Sequence, residues 1–240
     1  ETGALTHKDG FVDLYLDAEG GRILVALPAP DEEGVALRAI QATGLTAGLG
    51  SNPIGLDRGL ANGGEIVAFR KVGDKMVAEI ENWTYRASAD NPLERKAVRD
   101  SFARSFIWSG EILGTGPDGE LLVDMSSYLT RDALGVRAAL KEHPKGGVYQ
   151  LSDDLSMPDV AAALAFPDNV EFDAFLTLTS DEPKSEVSAT AADARSVTLA
   201  QHISLVRLPD EGYTPRLFDP RSGAIDVGFY DFSAPLSGQV

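Results

Sequence analysis

Apolar residues recurring at every second position, in short runs closed by glycine- or proline-rich turns, limit this chain more than any other feature. Alternation of that kind puts one side of an extended strand in a core and the other in water. In Phe11 to Asp17, Val12, Leu14 and Leu16 share one face and Asp13 and Asp17 the other. Ala18-Glu19-Gly20-Gly21 turns this strand into Arg22 to Leu27, and Pro28 and Pro30 end the return because neither can donate to a ladder. The same grammar predicts a hairpin from Glu65 to Glu81 about Gly73-Asp74-Lys75, and another from Phe106 to Met125 about Gly116-Pro117-Asp118-Gly119. The spacing between them is irregular, which favours separate hairpins over an internal repeat. Val170 to Thr179 and Val197 to Leu208 extend the β pattern.

Two helices interrupt it. Asn91 as N-cap, Pro92 at the first helical position and Glu94 in the first turn predict a helix over 92–105, with Leu93, Ala97, Val98, Phe102 and Phe106 at helical spacing. A second, over 129–142, is rich in Ala and Leu and is stopped by Pro144 and Gly146-Gly147, although Gly135 interrupts it. The segment from Gly44 to Gly64 carries seven glycines beside Asn52, Pro53, Asp57 and Arg58, a density expected of a long ordered binding or interface loop. Ser180 to Arg195 reads as a polar, mobile surface loop. The expectation is a β-rich α+β fold, with antiparallel sheets built from successive hairpins and two helices. Residues 1–7 read as an N-terminal tail or the remnant of a removed leader. Residues 8–236 read as a single domain that could divide into two subdomains meeting near 143–150, and 237–240 as a tail.

Composition narrows the function. Thirty-seven acidic residues against 21 basic give a net charge of −16, which repels phosphate backbones and excludes nucleic acid as an expected partner. With no cysteine there is no disulfide framework, thiolate zinc site or Cys nucleophile. No stretch approaches the apolar length of a membrane helix.

Three histidines, His7, His143 and His202, are the whole imidazole supply, and no His-Glu-x-x-His occurs. His202 falls in an expected strand as a structural or contact residue. The Gly-x-Ser-x-Gly elbow and the nucleotide-binding glycine motifs are missing as well. Carboxylate pairs such as Glu79 with Glu81 are expected by chance in so acidic a chain. Trp83, Tyr85 and Trp108 could present aromatic faces to a glycan or peptide, or could pack in a core. Leu208 to Gly223 places three prolines beside Arg216 and Arg221, which describes either a stiff docking segment or an internal clamp on the protein's own carboxylates.

Taken in order, Ala42-Thr43-Gly44, Gly48-Leu49-Gly50-Ser51-Asn52, Gly55-Leu56-Asp57-Arg58-Gly59, the run from Arg86 to Pro92, Leu129-Thr130-Arg131-Asp132, the run from Phe166 to Glu171 and the Leu208 to Gly223 segment resemble the N-terminal region of bacterial zinc-dependent metalloproteases. In that family the region is a domain of unknown function that precedes the His-Glu-x-x-His peptidase domain. The resemblance implies a secreted or periplasmic, non-catalytic accessory domain that packs on or regulates the peptidase domain of the same parent protein. This sequence reaches Val240 without the zinc motif, so no catalytic or metal residue carries over and zinc is implied only for the peptidase domain. Candidate interface or regulatory residues are Asn52, Asp57, Arg58, His202, Arg216, Asp219 and Arg221, with Asp57 or Asp219 able to present a carboxylate to zinc if the domain acts as a prodomain. The alternative is a stand-alone β-rich module that binds a glycan or peptide.

Overall fold

The computed structural model describes residues 5–50, 53–210, 221 and 228–233. Its elements in chain order are β1 (Thr6–Lys8), β2 (Asp13–Asp17), β3 (Arg22–Leu27), β4 (Val35–Ala47), β5 (Ala61–Val72), β6 (Lys75–Ile80), β7 (Tyr85–Arg86), α1 (Pro92–Ser101), β8 (Ser105–Thr115), β9 (Leu121–Asp124), α2 (Ser126–Leu129), α3 (Val136–Glu142), β10 (Gln150–Leu151), a 3-10 turn at Asp153–Leu155, β11 (Met157–Ala165), β12 (Asn169–Thr179), α4 (Ser185–Thr190), β13 (Ser196–Arg207) and β14 (Tyr230–Asp231). Twelve strands form one antiparallel sheet in the order β1-β2-β3-β9-β8-β6-β5-β4-β13-β12-β10, with β11 also on β12. β7 and β14 form a separate parallel pair.

The three hairpins form as their sequences predict. In the first, Asp17 pairs with Arg22 across the turn, and its carboxylate accepts from the Gly20 amide (2.7 Å) and the Arg22 guanidinium (2.7 Å). The second turns at Gly73, whose φ of 63° is a left-handed conformation that favours glycine.

The glycine-rich segment departs from expectation, because Gly44 lies within β4 and Gly63 and Gly64 within β5. The glycines there let backbones approach: a Cβ on Gly44 would stand 2.9 Å from the Leu60 carbonyl, and one on Gly64 would stand 2.7 Å from Ile40 Cγ2. The β4–β5 register slips between Gln41 and Thr43, a bulge that these glycines accommodate. The described residues between the two strands, 48–50 and 53–60, lie outside both.

The helices also differ from the sequence reading, with four α-helices among the described residues in place of two. α1 stops at Ser101. Of the expected 129–142 helix only 136–142 forms, as α3: apart from Leu129 at the end of α2, residues up to 135 are turn and irregular chain, and α3 starts after Gly135, left-handed at φ 69°, where Asp132 accepts from the amides of Val136 (2.7 Å) and Arg137 (3.0 Å). The polar segment 180–195 is no loose loop: it contains α4, which buries Val187 completely.

The inward faces of the sheet build two hydrophobic clusters. One gathers Leu14, Ile23, Phe69, Met76, Tyr128, Phe172 and Ile203. The other gathers Leu45, Leu56, Val136, Leu140, Tyr149, Leu178 and Val187. β4, β12 and β13 supply both, and polar side chains occupy the interior between them. Buried Gln201 donates to the carbonyls of Leu129 (3.1 Å) and Arg131 (3.0 Å) and accepts from the Ala133 amide (3.1 Å). Buried Gln41 accepts from the Tyr128 hydroxyl and from Arg131 (2.5 Å). Every such bond matters, since a buried polar group left unpaired costs about 1–3 kcal/mol. Burial pushes the Tyr128 hydroxyl up to about 12, although the neighbouring Arg131 charge opposes the shift.

The sheet curls until its ends approach. The Phe11 amide donates to the Phe166 carbonyl (2.7 Å) and Lys8 Nζ to the Ala163 carbonyl (2.6 Å), joining the first hairpin to β11.

Candidate functional site

His202 lies on the outward face of the β12–β13 ladder, where the register sets Asp173 opposite His202 and Glu171 opposite Ser204. The alternate residues Phe172, Ala174, Ile203 and Leu205 fill the core, so these four polar side chains face away from it. His202 Nδ1 is 2.7 Å from Asp173 Oδ1, and Nε2 is 2.7 Å from Glu171 Oε2. Ser204 Oγ bonds Glu171 and lies 3.3 Å from His202 Nε2.

Asp173, His202 and Ser204 thus follow the connectivity of a hydrolase triad, but the arrangement does not suit acyl transfer. The Ser204 hydroxyl proton goes to Glu171 instead of the imidazole, and the surrounding backbone is paired in the β12–β13–β4 ladders, leaving no amide pair to hold an oxyanion. The group is a cross-strand electrostatic latch.

The connection between β4 and β5 brings Asp57 and Arg58 beside Gly48 and Gly50, around a small cavity of about 520 Å³. Asp57 Oδ1 is buried and has no hydrogen-bond partner among the described residues. Arg58 is exposed. Asn52, Arg216 and Asp219 lie outside the described residues, as does most of the Leu208 to Gly223 segment, and Arg221 is an exposed turn residue. Among the described residues, His7, Asp9 and Asp13 bring potential metal-ligand atoms within 4.8 Å of one another, at the exposed β1–β2 hairpin.

A further concavity is not announced as a unit by the sequence. It encloses about 960 Å³ between α1, the outer face of β5 and β6, and the β7 segment. Its floor is Glu79, whose two carboxylate oxygens accept from the Arg104 guanidinium and which Arg70 approaches at 3.5 Å. Burial alone would raise the Glu79 carboxyl, but the Arg104 and Arg70 charges outweigh it and hold the group below its ordinary range. At one end Tyr85 stacks on Phe102 (4.1 Å between centroids) and on Tyr230 (5.5 Å). Trp83 is 47% exposed, its indole N–H directed to Glu81 at 3.2 Å. Arg95 and Arg99 line the α1 side.

Of the three aromatic residues singled out by sequence, the cleft brings together Trp83 and Tyr85. Trp108 lies elsewhere, packed edge-on against Tyr128 and donating to Ser127 (2.8 Å). The arginines and Phe229 to Phe232 escaped notice because they converge from separate elements. The aromatic density of Phe229-Tyr230-Asp231-Phe232 was the available signal.

A continuous antiparallel sheet flanked by short helices, with a cleft of arginine, carboxylate and aromatic side chains on its outer face, defines a β-rich α+β domain. Residues 59–239 match the family described as a domain of unknown function (DUF5117), and the chain belongs to that family. No curated protein and no solved structure gives a match. No helix among the described residues is long and apolar enough to cross a membrane.

Proposed function

We propose that this chain is a non-catalytic accessory domain of an exported bacterial zinc-dependent metallopeptidase, packing on or regulating the peptidase domain of its parent protein. The ordered motifs of the sequence support that reading, and the observation that carries it is the state of α1. This helix is amphipathic yet buries no residue, and Leu93 at its start is 77% exposed. Trp83, Phe106, Tyr230 and Phe232 are exposed around it, alongside Arg86, Arg95, Arg99 and Arg104. Aromatic residues and arginine are the types that protein interfaces concentrate. Ser233 donates to Glu94 on α1 (3.0 Å), which brings the described residues 228–233 to this face.

The test mixes this chain with the peptidase domain of the same parent. The expected result is a one-to-one complex in which zinc resides on the peptidase, weakened about tenfold or more by Leu93→Asp. Stoichiometric zinc and peptide hydrolysis by this chain alone, or no complex at high concentration, overturns the reading. The unpartnered Asp57 oxygen supports the prodomain form of the proposal, in which Asp57→Ala abolishes inhibition of the peptidase. The exposed Trp83 and the Tyr85 stack favour a second reading, a module that binds a peptide or glycan in the cleft.

A further inference from the structure

We propose that the cleft beside α1 is a groove for an extended peptide bearing an acidic residue between aromatic ones, and that the chain's own Phe229–Phe232 segment occupies its rim. The proposal rests on reading this face as a contact surface, and it is independent of which protein makes the contact. The structure already shows the groove reading polypeptide. Tyr230 N donates to the Thr84 carbonyl (2.6 Å) and Phe232 N to the Arg86 carbonyl (2.8 Å), which adds β14 to β7 as a parallel strand. Each side chain of the segment meets a complementary group. Tyr230 stacks on Tyr85, Phe232 lies 6.2 Å from the Phe102 ring, and Phe229 sits 3.9 Å under the Arg86 guanidinium. Asp231 accepts from the Ser88 amide (3.1 Å) and faces Arg86 at 3.5 Å. Main-chain bonds supplying affinity while alternate side chains supply selection is the logic of recognition by strand addition.

Two further observations make this occupant exchangeable. The β7–β14 pairing is two residues long, and strand pairs without a sheet around them are marginal in water. Tyr230 and Phe232 remain 53% and 52% exposed, so the segment is held at the rim without being enclosed. Charge contributes at one position: Arg86, which Asp231 faces, offers a guanidinium to a carboxylate in the middle of the segment, whereas Arg104 and Arg70 are taken up by Glu79. A peptide fits better than a glycan because the carbonyls of Thr84 and Arg86 accept from amides two residues apart, the spacing of a strand.

A fluorescently labelled peptide of residues 228–233, titrated into the whole chain by anisotropy, tests the proposal. Its own tethered copy competes in the wild type, so Tyr230→Gly, which weakens that copy, should bind the free peptide about tenfold more tightly. Arg86→Glu, and separately a peptide carrying Asp231→Lys, should abolish binding. Circular dichroism confirms that the variants fold, as expected for positions outside both core clusters. No binding to the folded Tyr230→Gly protein, or binding indifferent to Arg86→Glu, overturns the proposal. So does acidic oligogalacturonate that binds in an Arg86-dependent manner where the peptide fails, because it makes the site a glycan site. Peptide binding without a peptidase complex leaves the groove standing and removes the accessory-domain reading, and a peptidase complex without peptide binding does the reverse.

Discussion

Helices α1 and α3 invert the usual relation between local signal and burial. α1 has ten residues, Pro92 in its first turn and an Asn91 side chain accepting from the Leu93 amide at 3.1 Å, yet no residue of it is buried. α3 has seven residues and starts after a left-handed glycine, but Val136 and Leu140 are fully or almost fully buried in the second core cluster. Capping and propensity decide where a helix begins, and packing decides how firmly it is held. A helix that is well started and poorly buried keeps its apolar stripe available for another surface.

The comparison is easiest to break at Leu140. Leu140→Ala should cost about 2–5 kcal/mol in urea unfolding, because it empties a packed site. Gln201→Leu comes next, at about 1–3 kcal/mol, since the Leu129 and Arg131 carbonyls and the Ala133 amide lose their partner. Asn91→Ala should cost about 1 kcal/mol, seen as lost helix signal, if the cap is what holds α1.

A pH series on Glu79→Gln sharpens the contrast at the cleft floor. Glu79 is held below its ordinary 4.5, so its contribution is present above that value and is lost as the pH falls through the lower folded value. The melting temperature of the wild type should therefore exceed that of Glu79→Gln at neutral pH and converge with it as the pH falls below 4.5 and through the lowered folded value of Glu79. Leu93→Ala should move stability by no more than about 0.5 kcal/mol. A loss as large as that of Leu140→Ala would show that α1 is packed after all.

What the sequence revealed follows from the range of the forces involved. Hairpins are local, so Leu14, Val25 and the turn residues between them announce β2 and β3 directly. β4 was hidden because its inward positions include Gln41 and Thr43, which serve the polar belt and spoil the apolar alternation. β11 was hidden by the irregularity between Asp159 and Leu164, which breaks the period of two. The site behaves likewise. His202 could be singled out as a strand-borne histidine, but its partners Glu171 and Asp173 follow only from the β12–β13 register. Of the cleft, Trp83 and Tyr85 could be singled out but not their grouping, since Arg70, Arg86 and Arg104 come from different elements and Tyr230 is far along the chain.

The position of β13 bears on how such a chain is made. It is inserted between β4 and β12, pairing residues 200–207 with 39–47 across most of the sequence. While the chain is being synthesised, or threaded through a membrane from its N-terminus, β4 waits with one long edge unpaired until residue 207 arrives. Any product ending before that point exposes two adjoining edges rich in apolar side chains, a template for aggregation that the cell would have to shield or degrade.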